Sequence, residues 1–189
     1  MSSANPNGAP TNALPHIEDL NVAIVVAEWN ANITSRLLDG ALYVFKQEGY
    51  DPDAIDVYNV PGTVELTFAA SRLIETDAYD AVIVIGCVIR GGTPHFEYVC
   101  QSVTQGIADL NAQSSIPVIF GVLTVNNEQE ALDRIGGKMG HKGVEAAVAA
   151  IKMVDFNRTV EMMIDDDDDD DDDDTRHPVI DRIGYDDRD

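Results

Sequence analysis

His95 follows an apolar run by six residues, and its surroundings single it out. The stretch 81–100 reads AVIVIGCVIRGGTPHFEYVC. Its first nine residues are apolar and mostly β-branched, which suits a strand buried on both faces of a parallel sheet. Arg90, Gly91 and Gly92 end the run. Thr93 can cap a following helix, with Pro94 at the first helical position. His95 then sits on the opening turn. An imidazole titrates near neutral pH, and a helix N-terminus favours its neutral form, so His95 is a candidate general acid–base. The plainer alternative is a surface histidine on a first turn. The free N–H groups of the same helix end suit an anion.

Other reactive residues occupy equivalent places. Trp29 and Asn30 follow a short apolar run at 22–27, and Thr63, Val64 and Glu65 follow Pro61-Gly62 after the run 55–60. Cys87, Val88 and Ile89 close the third run, with Gly92 and Thr93 just beyond it. Phe120 lies in a fourth, 118–122. In an open parallel sheet, ligands bind at the carboxyl ends of the strands. These residues should therefore share one edge. The set suits a flat heteroaromatic ligand with polar rims and a second, anionic ligand. Each has a simpler role too. Trp29 could be packing, Glu65 could complement a helix N-terminus, and Phe120 could be core. Arg134, Lys138 and Lys142 recur at intervals of four among Gly136, Gly137 and Gly140. Such a cluster can hold a phosphate, or simply be solvated charge ending a helix.

These residues need a frame. Helices are expected over 33–48, capped by Asn32 and stopped by Gly49, and over 64–75. A third should run to about residue 113, and a last, Ala-rich one should cover 143–157. Asn127 and Glu130 have capping-box spacing for a short helix to Ile135, which Gly136-Gly137 should break. The alternation β-α-β-α-β-α-β-α-α predicts one parallel four-stranded sheet with helices on both faces, an α/β three-layer sandwich. Residues 1–16 form a polar segment expected to be disordered, 17–160 the domain, and 161–189 an acidic tail. Ten consecutive aspartates at 165–174 repel one another and bury nothing, so that run should also be disordered. Val179, Ile180, Ile183 and Tyr185 could dock the end of the tail on the core.

Net charge is −22, and the last 25 residues carry −11 of it. That balance excludes nucleic acid and anionic membranes as partners. No apolar run approaches the ~20 residues of a membrane span. Cys87 and Cys100 lack metal-ligand spacing, no secretory signal is visible, and two packed, reduced thiols in a cytoplasmic protein are expected. An acidic, lysine-poor surface is also compatible with a high-salt cytoplasm.

The segments VVAEWNANIT, DVYNVPGTVELTFAA, YDAVIVIGCVIRGGTPHFEYVC, PVIFGVLT and DRIGGKMGHKGVEAAVAAI lie in order over about 20–158. Together they closely resemble the lumazine synthase family. The resemblance implies a flavodoxin-like α/β/α sandwich that uses no cofactor and no metal. It implies condensation of 5-amino-6-(D-ribitylamino)uracil with 3,4-dihydroxy-2-butanone 4-phosphate in riboflavin biosynthesis. By position, Trp29 would stack on the pyrimidine. Thr63, Val64, Glu65, Cys87, Val88 and Ile89 would contact the uracil and ribityl chain. Gly92 and Thr93 would bind the butanone phosphate with Arg134, supported by Lys142. His95 would be the acid–base, and Phe120 would come from a neighbouring subunit. Trp29, Gly92 and His141 differ from commoner family choices, Phe, Ala and Asn, without removing a required group. Family members form homopentamers. The short segment 136–140 resembles those that close into icosahedral 60-mers, in which riboflavin synthase is a possible cargo. An acidic tail on every subunit would oppose closure. The competing expectation is an inactive flavodoxin-like shell or binding protein.

Overall fold

The computed structural model describes residues 13–170. Two compact units divide the chain, one up to Asn157 and one from Arg158. The first unit holds a four-stranded sheet in the order β2-β1-β3-β4. Its strands are β1 (Val22–Ala27), β2 (Asp56–Val60), β3 (Ala81–Ile89) and β4 (Val118–Val125). All three pairings are parallel, as expected. The helices are α1 (Ala31–Gln47), α2 (Glu65–Ile74), α3 (His95–Gln113), α4 (Glu128–Leu132) and α5 (Lys142–Asp170).

Strand alternation divides the core in two. Val22, Ile24 and Val26 of β1, with Ile83 and Ile85 of β3, pack with Leu37, Ala41 and Phe45 of α1 and Ala147, Ala150 and Ile151 of α5. Val25 and Ala27, with Val82 and Val84, pack with Leu66 and Ala70 of α2 and Val103 and Ile107 of α3. Both faces of the central strands are thus covered, which is why they read as unbroken apolar runs. Gly86 interrupts β3 for a steric reason. A β-carbon there would lie 3.0 Å from Thr63 Oγ1 and 3.1 Å from Leu66 Cδ1, so its absence lets the start of α2 rest on the strand.

Several boundaries differ from expectation. Asn30, not Asn32, precedes α1; it adopts φ 60°, ψ 43°. Asn32 instead donates from Nδ2 to Glu128 Oε1 at 2.7 Å. Thr93 does not cap α3: Pro94 occupies the cap position, its carbonyl accepts from the N–H of Glu97 at 3.0 Å, and His95 becomes the first helical residue. β4 continues to Val125, because Leu123, Thr124 and Val125 pair with Cys87, Val88 and Ile89. Gly49, at φ +89°, follows α1 as expected. Asn127 Oδ1 accepts from the N–H of Glu130 at 3.0 Å, the expected cap, but α4 ends at Leu132.

Residues 135–141, expected only as a break, form an antiparallel hairpin of β5 (Ile135–Gly137) and β6 (Gly140–His141). α5 runs well past 157 and takes in the first six aspartates of the acidic run, which were expected to lack regular structure. The run continues the backbone pairing of a helix already formed through Ile164. Residues 1–12 and 171–189 lie outside the described residues, so the expectations for most of the N-terminal segment and for tail docking fall there. Leu14, expected in the disordered segment, packs against the core.

Candidate active site

The strand order places a switch point between β1 and β3: the chain leaves β1 toward β2, then returns across β1 to reach β3. The carboxyl ends of such neighbouring strands diverge into a crevice where ligands bind. Asn30 spans it. Its left-handed backbone, tolerable for asparagine, turns the side chain so that Nδ2 donates to the carbonyl of Cys87 at 2.8 Å. Trp29 projects beside it, 73% exposed, so the packing alternative fails and the ring is free to stack. Glu28 N–H and Trp29 N–H continue the strand pairing by donating to the carbonyls of Val60 and Pro61. Trp29, Glu28, Asn30 and Pro61 together line a shallow cavity.

Gly62 completes this corner. A β-carbon there would stand 3.0 Å from Glu65 Oε2 and 3.6 Å from Trp29 Cδ1. The indole and the carboxylate therefore flank one small opening. Thr63 is buried behind them, while Val64 and Glu65 are exposed at the start of α2. Cys87 is buried, and burial with the nearby Glu128 charge pushes its thiol up to about 11. It stays a neutral thiol at physiological pH, and its main-chain carbonyl is what serves the site. Val88 and Ile89 are half-buried.

Gly92, Thr93 and His95 are exposed at the end of β3. A β-carbon on Gly92 would meet nothing within 4 Å. Nothing in the sequence points to Arg90 as the organiser of this loop, because its role is long-range. Its Nε donates to Asn126 Oδ1 at 3.1 Å, its Nη1 pairs with Glu97, and its guanidinium lies 4.2 Å from the centre of the Phe96 ring. One side chain thus ties the end of β3, the loop after β4 and the first turn of α3 together. The pairing lowers the Glu97 carboxyl below its ordinary range.

Phe120 breaks the expectation of a single edge. It pairs with Val84 in the middle of the sheet, five residues before β4 ends. At about 3.3 Å per residue it lies roughly 17 Å short of the carboxyl edge. Nor is it core: it is 40% exposed on a sheet margin. With Arg134 and Lys142 it lines a separate cavity of about 790 Å³, bounded by β4 and α5. The hairpin brings those two cations side by side, for the N–H of Lys142 donates to the Arg134 carbonyl at 2.8 Å. Arg134 Nη1 donates to the carbonyl of Glu130 at 2.8 Å. Lys142 Nζ is held by both oxygens of Glu145, at 2.7 and 2.8 Å. Lys138 does not line this cavity; it pairs with Asp133 at 2.9 Å on the surface. One chain therefore carries two partial sites: an aromatic–carboxylate–imidazole group at the strand ends, and an aromatic–cation group along β4. Among the described residues no cluster of His, Cys, Asp or Glu could hold a metal ion.

His141 carries a pH dependence. Burial lowers its pKa below 6.5, although Asp39 and Glu145 pull it upward. The unfolded chain therefore protonates first, and stability should begin to fall as pH drops through 6.5. Glu97, Glu130 and Asp133 are also lowered, mainly by hydrogen bonds, so their contribution is present above about 4.5 and lost below it. Urea titrations from pH 8 to 4 should show two declines. His141→Asn should abolish the first and keep the second.

A model of the 6,7-dimethyl-8-ribityllumazine synthase family matches residues 19–158. The chain is similar to the 6,7-dimethyl-8-ribityllumazine synthase of Parabacteroides distasonis, 56% identical over 146 residues that cover 77% of this chain and 91% of that protein. It is similar to the Bacteroides fragilis protein of the same name, at 56% over 137 residues, 72% of this chain and 96% of that one. The Phocaeicola vulgatus protein, also so named, is 51% identical over 150 residues, 79% and 89% of the two chains.

Proposed function

The chain belongs to the 6,7-dimethyl-8-ribityllumazine synthase family, and on that premise we propose how its residues carry the reaction. It is a transferase of riboflavin biosynthesis, joining 5-amino-6-(D-ribitylamino)uracil to 3,4-dihydroxy-2-butanone 4-phosphate with release of phosphate and water. Residues 17–160 form the catalytic domain, with residues 161–189 as an appendage.

The pyrimidine stacks on Trp29, with Glu65 accepting N–H bonds from its edge and the main chain of Cys87–Ile89 along its other side. Thr63 and Val64 meet the ribityl chain. The phosphorylated substrate lies against Gly92 and Thr93. One of its neighbours is a second copy of the chain, and the observation that supports this is the placement of Phe120. The ring stands about 10 Å below Cys87 along the strands and, with Arg134 and Lys142, lines a cavity apart from the one Trp29 lines, a placement that suits it to close the site of an adjacent chain. Arg134 and Lys142 share its cavity and arrive with it.

The uracil amine attacks the ketone to give a carbinolamine, which loses water to an imine. His95 moves the protons in these steps. Phosphate leaves by elimination while Arg134 holds the developing charge. The second amine then closes the ring by adding to the carbonyl that this elimination unmasks, with loss of a second water. Much of the rate gain comes from holding two reactants in register. His95→Ala should cut turnover about 100-fold, measured by the lumazine chromophore when both substrates are mixed, with little change in pyrimidine binding. An unchanged rate would assign catalysis to positioning alone.

Phe68 and Tyr98 are more than two-thirds exposed on α2 and α3, apolar surface of the kind that copies of a chain cover when they associate. We propose a cytoplasmic homopentamer, with twelve pentamers closing into a shell able to enclose riboflavin synthase. Sixty acidic tails would repel one another, and salt would screen them. Sedimentation should therefore show particles growing from pentamers to 60-mers between low and molar salt. Monomers at both would remove the assembly.

A further inference from the structure

We propose that His141 is a positioning residue whose ring, seated against the bare α-carbon of Gly40, fixes on α1 the hairpin that carries Arg134 and Lys142; this rests on the reading of Arg134 as the phosphate ligand. The hairpin is soft by itself. It has three glycines, two of them at positive φ (Gly136, +106°; Gly140, +77°), and its two strands span only five residues. A hairpin that short does not hold its own shape in water. Ile135, buried in the core, anchors its first strand. The second strand depends on His141, which pairs with Ile135 and precedes Lys142.

Gly40 lies in the middle of α1, where glycine weakens a helix. The reason for it is the imidazole. A β-carbon on Gly40 would fall 2.0 Å from His141 Cε1, 2.4 Å from Nδ1 and 2.7 Å from Nε2. Ring and helix backbone are in direct contact, with no room for a methyl group. The N–H of Val144 approaches Nδ1 at 3.5 Å. Asp39 on α1 and Glu145 on α5 are the charged groups that bear on the ring, and neither forms an ion pair with it among the described residues. The contact is one of shape. It sets how far the hairpin stands from α1, and so where the two cations stand in the cavity along β4.

A double-mutant cycle on the full-length protein tests this, because one substitution should change sign with its background. The readouts are KM for each substrate, kcat, and the affinity for inorganic phosphate. His141→Ala should weaken phosphate affinity and raise KM for the phosphorylated substrate about fivefold, with pyrimidine KM within about twofold. Gly40→Ala alone should do the same by expelling the ring. In the His141→Ala background, Gly40→Ala should instead bring phosphate affinity back toward wild type by filling the vacated space. Effects that add, or that raise both KM values equally, would overturn the proposal. If Gly40→Ala does not fold, His141→Asn decides. Its planar group should keep phosphate affinity closer to wild type than alanine does, and equality with alanine would overturn the proposal. Arg134→Ala in parallel separates the two readings. No loss of phosphate affinity in that variant sinks the phosphate assignment itself, whereas a loss there with an additive cycle sinks only the role of His141.

Discussion

Arg134→Ala should lower kcat/KM for the phosphorylated four-carbon substrate about 100-fold, mostly through KM, and leave pyrimidine KM within about twofold. The size follows from how Arg134, Lys138 and Lys142 are engaged. Lys138 is turned to Asp133 at the surface, and Lys142 is held by both oxygens of Glu145. Arg134 gives a hydrogen bond to a main-chain carbonyl and lines the cavity with Phe120. Glu130 and Asp133 feel its charge, yet among the described residues no carboxylate forms an ion pair with it. Of these three it is the cation not tied to a carboxylate, and its planar fork matches phosphate oxygens in pairs. Arg134→Lys keeps the charge and loses the fork, so it should fall between the two, near 10-fold. Steady-state kinetics with each substrate varied in turn reads both numbers. An unchanged KM for the phosphorylated substrate would remove Arg134 from the site.

Gly143→Ala should destabilise the protein by about 3 kcal/mol, a fall in melting temperature of about 10 °C. A β-carbon there would stand 1.9 Å from the carbonyl oxygen of Leu37, 2.7 Å from its carbonyl carbon and 2.9 Å from its α-carbon. The obstacle is helix backbone, which cannot swing aside as a side-chain tip can. Gly143 has no positive φ, so the cost is one of space, not of backbone strain. Relief requires α5 to move from α1, and that contact joins Leu37 and Ala41 to Ala147 and Ile151 in the larger core. Lys142 precedes Gly143, so the surviving folded protein should also bind the phosphorylated substrate less well. Gly92→Ala is the matched control. With nothing within 4 Å, it should stay within about 0.5 kcal/mol of wild type. Thermal melts of the two variants side by side make the comparison, and equal melting temperatures would contradict the packing described.

The strands and helices were legible because their signals are local. Val22–Ala27 and Ala81–Ile89 are apolar and β-branched, and each ends at polar or glycine punctuation. Gly49 and the Asn127–Glu130 pair marked ends that the fold uses. At the start of α1 the local rule chose wrongly. Asn32 was expected to cap α1, but Asn30 stands at its start in a left-handed turn, with its side chain given to the Cys87 carbonyl 57 residues away. The hairpin at 135–141 escaped because three glycines in seven residues leave no period to read. Among the site residues, Trp29, Glu65 and His95 fall near the expected strand ends. Phe120 does not, since an apolar run read as ending at Val122 gave no measure of how far β4 continues beyond it.

By itself the sequence determined the succession of elements, the parallel sheet, and which residues follow each strand. These depend on the spacing of apolar residues and on breakers, which act over a few positions. Only the tertiary structure decided the depth of Phe120, the meeting of Arg134 with Lys142, and the contacts of Gly40 with His141 and of Gly143 with Leu37. Those are fixed by strand register and by helices approaching to backbone contact. A residue's neighbours in the chain carry no record of the surface it will be pressed against.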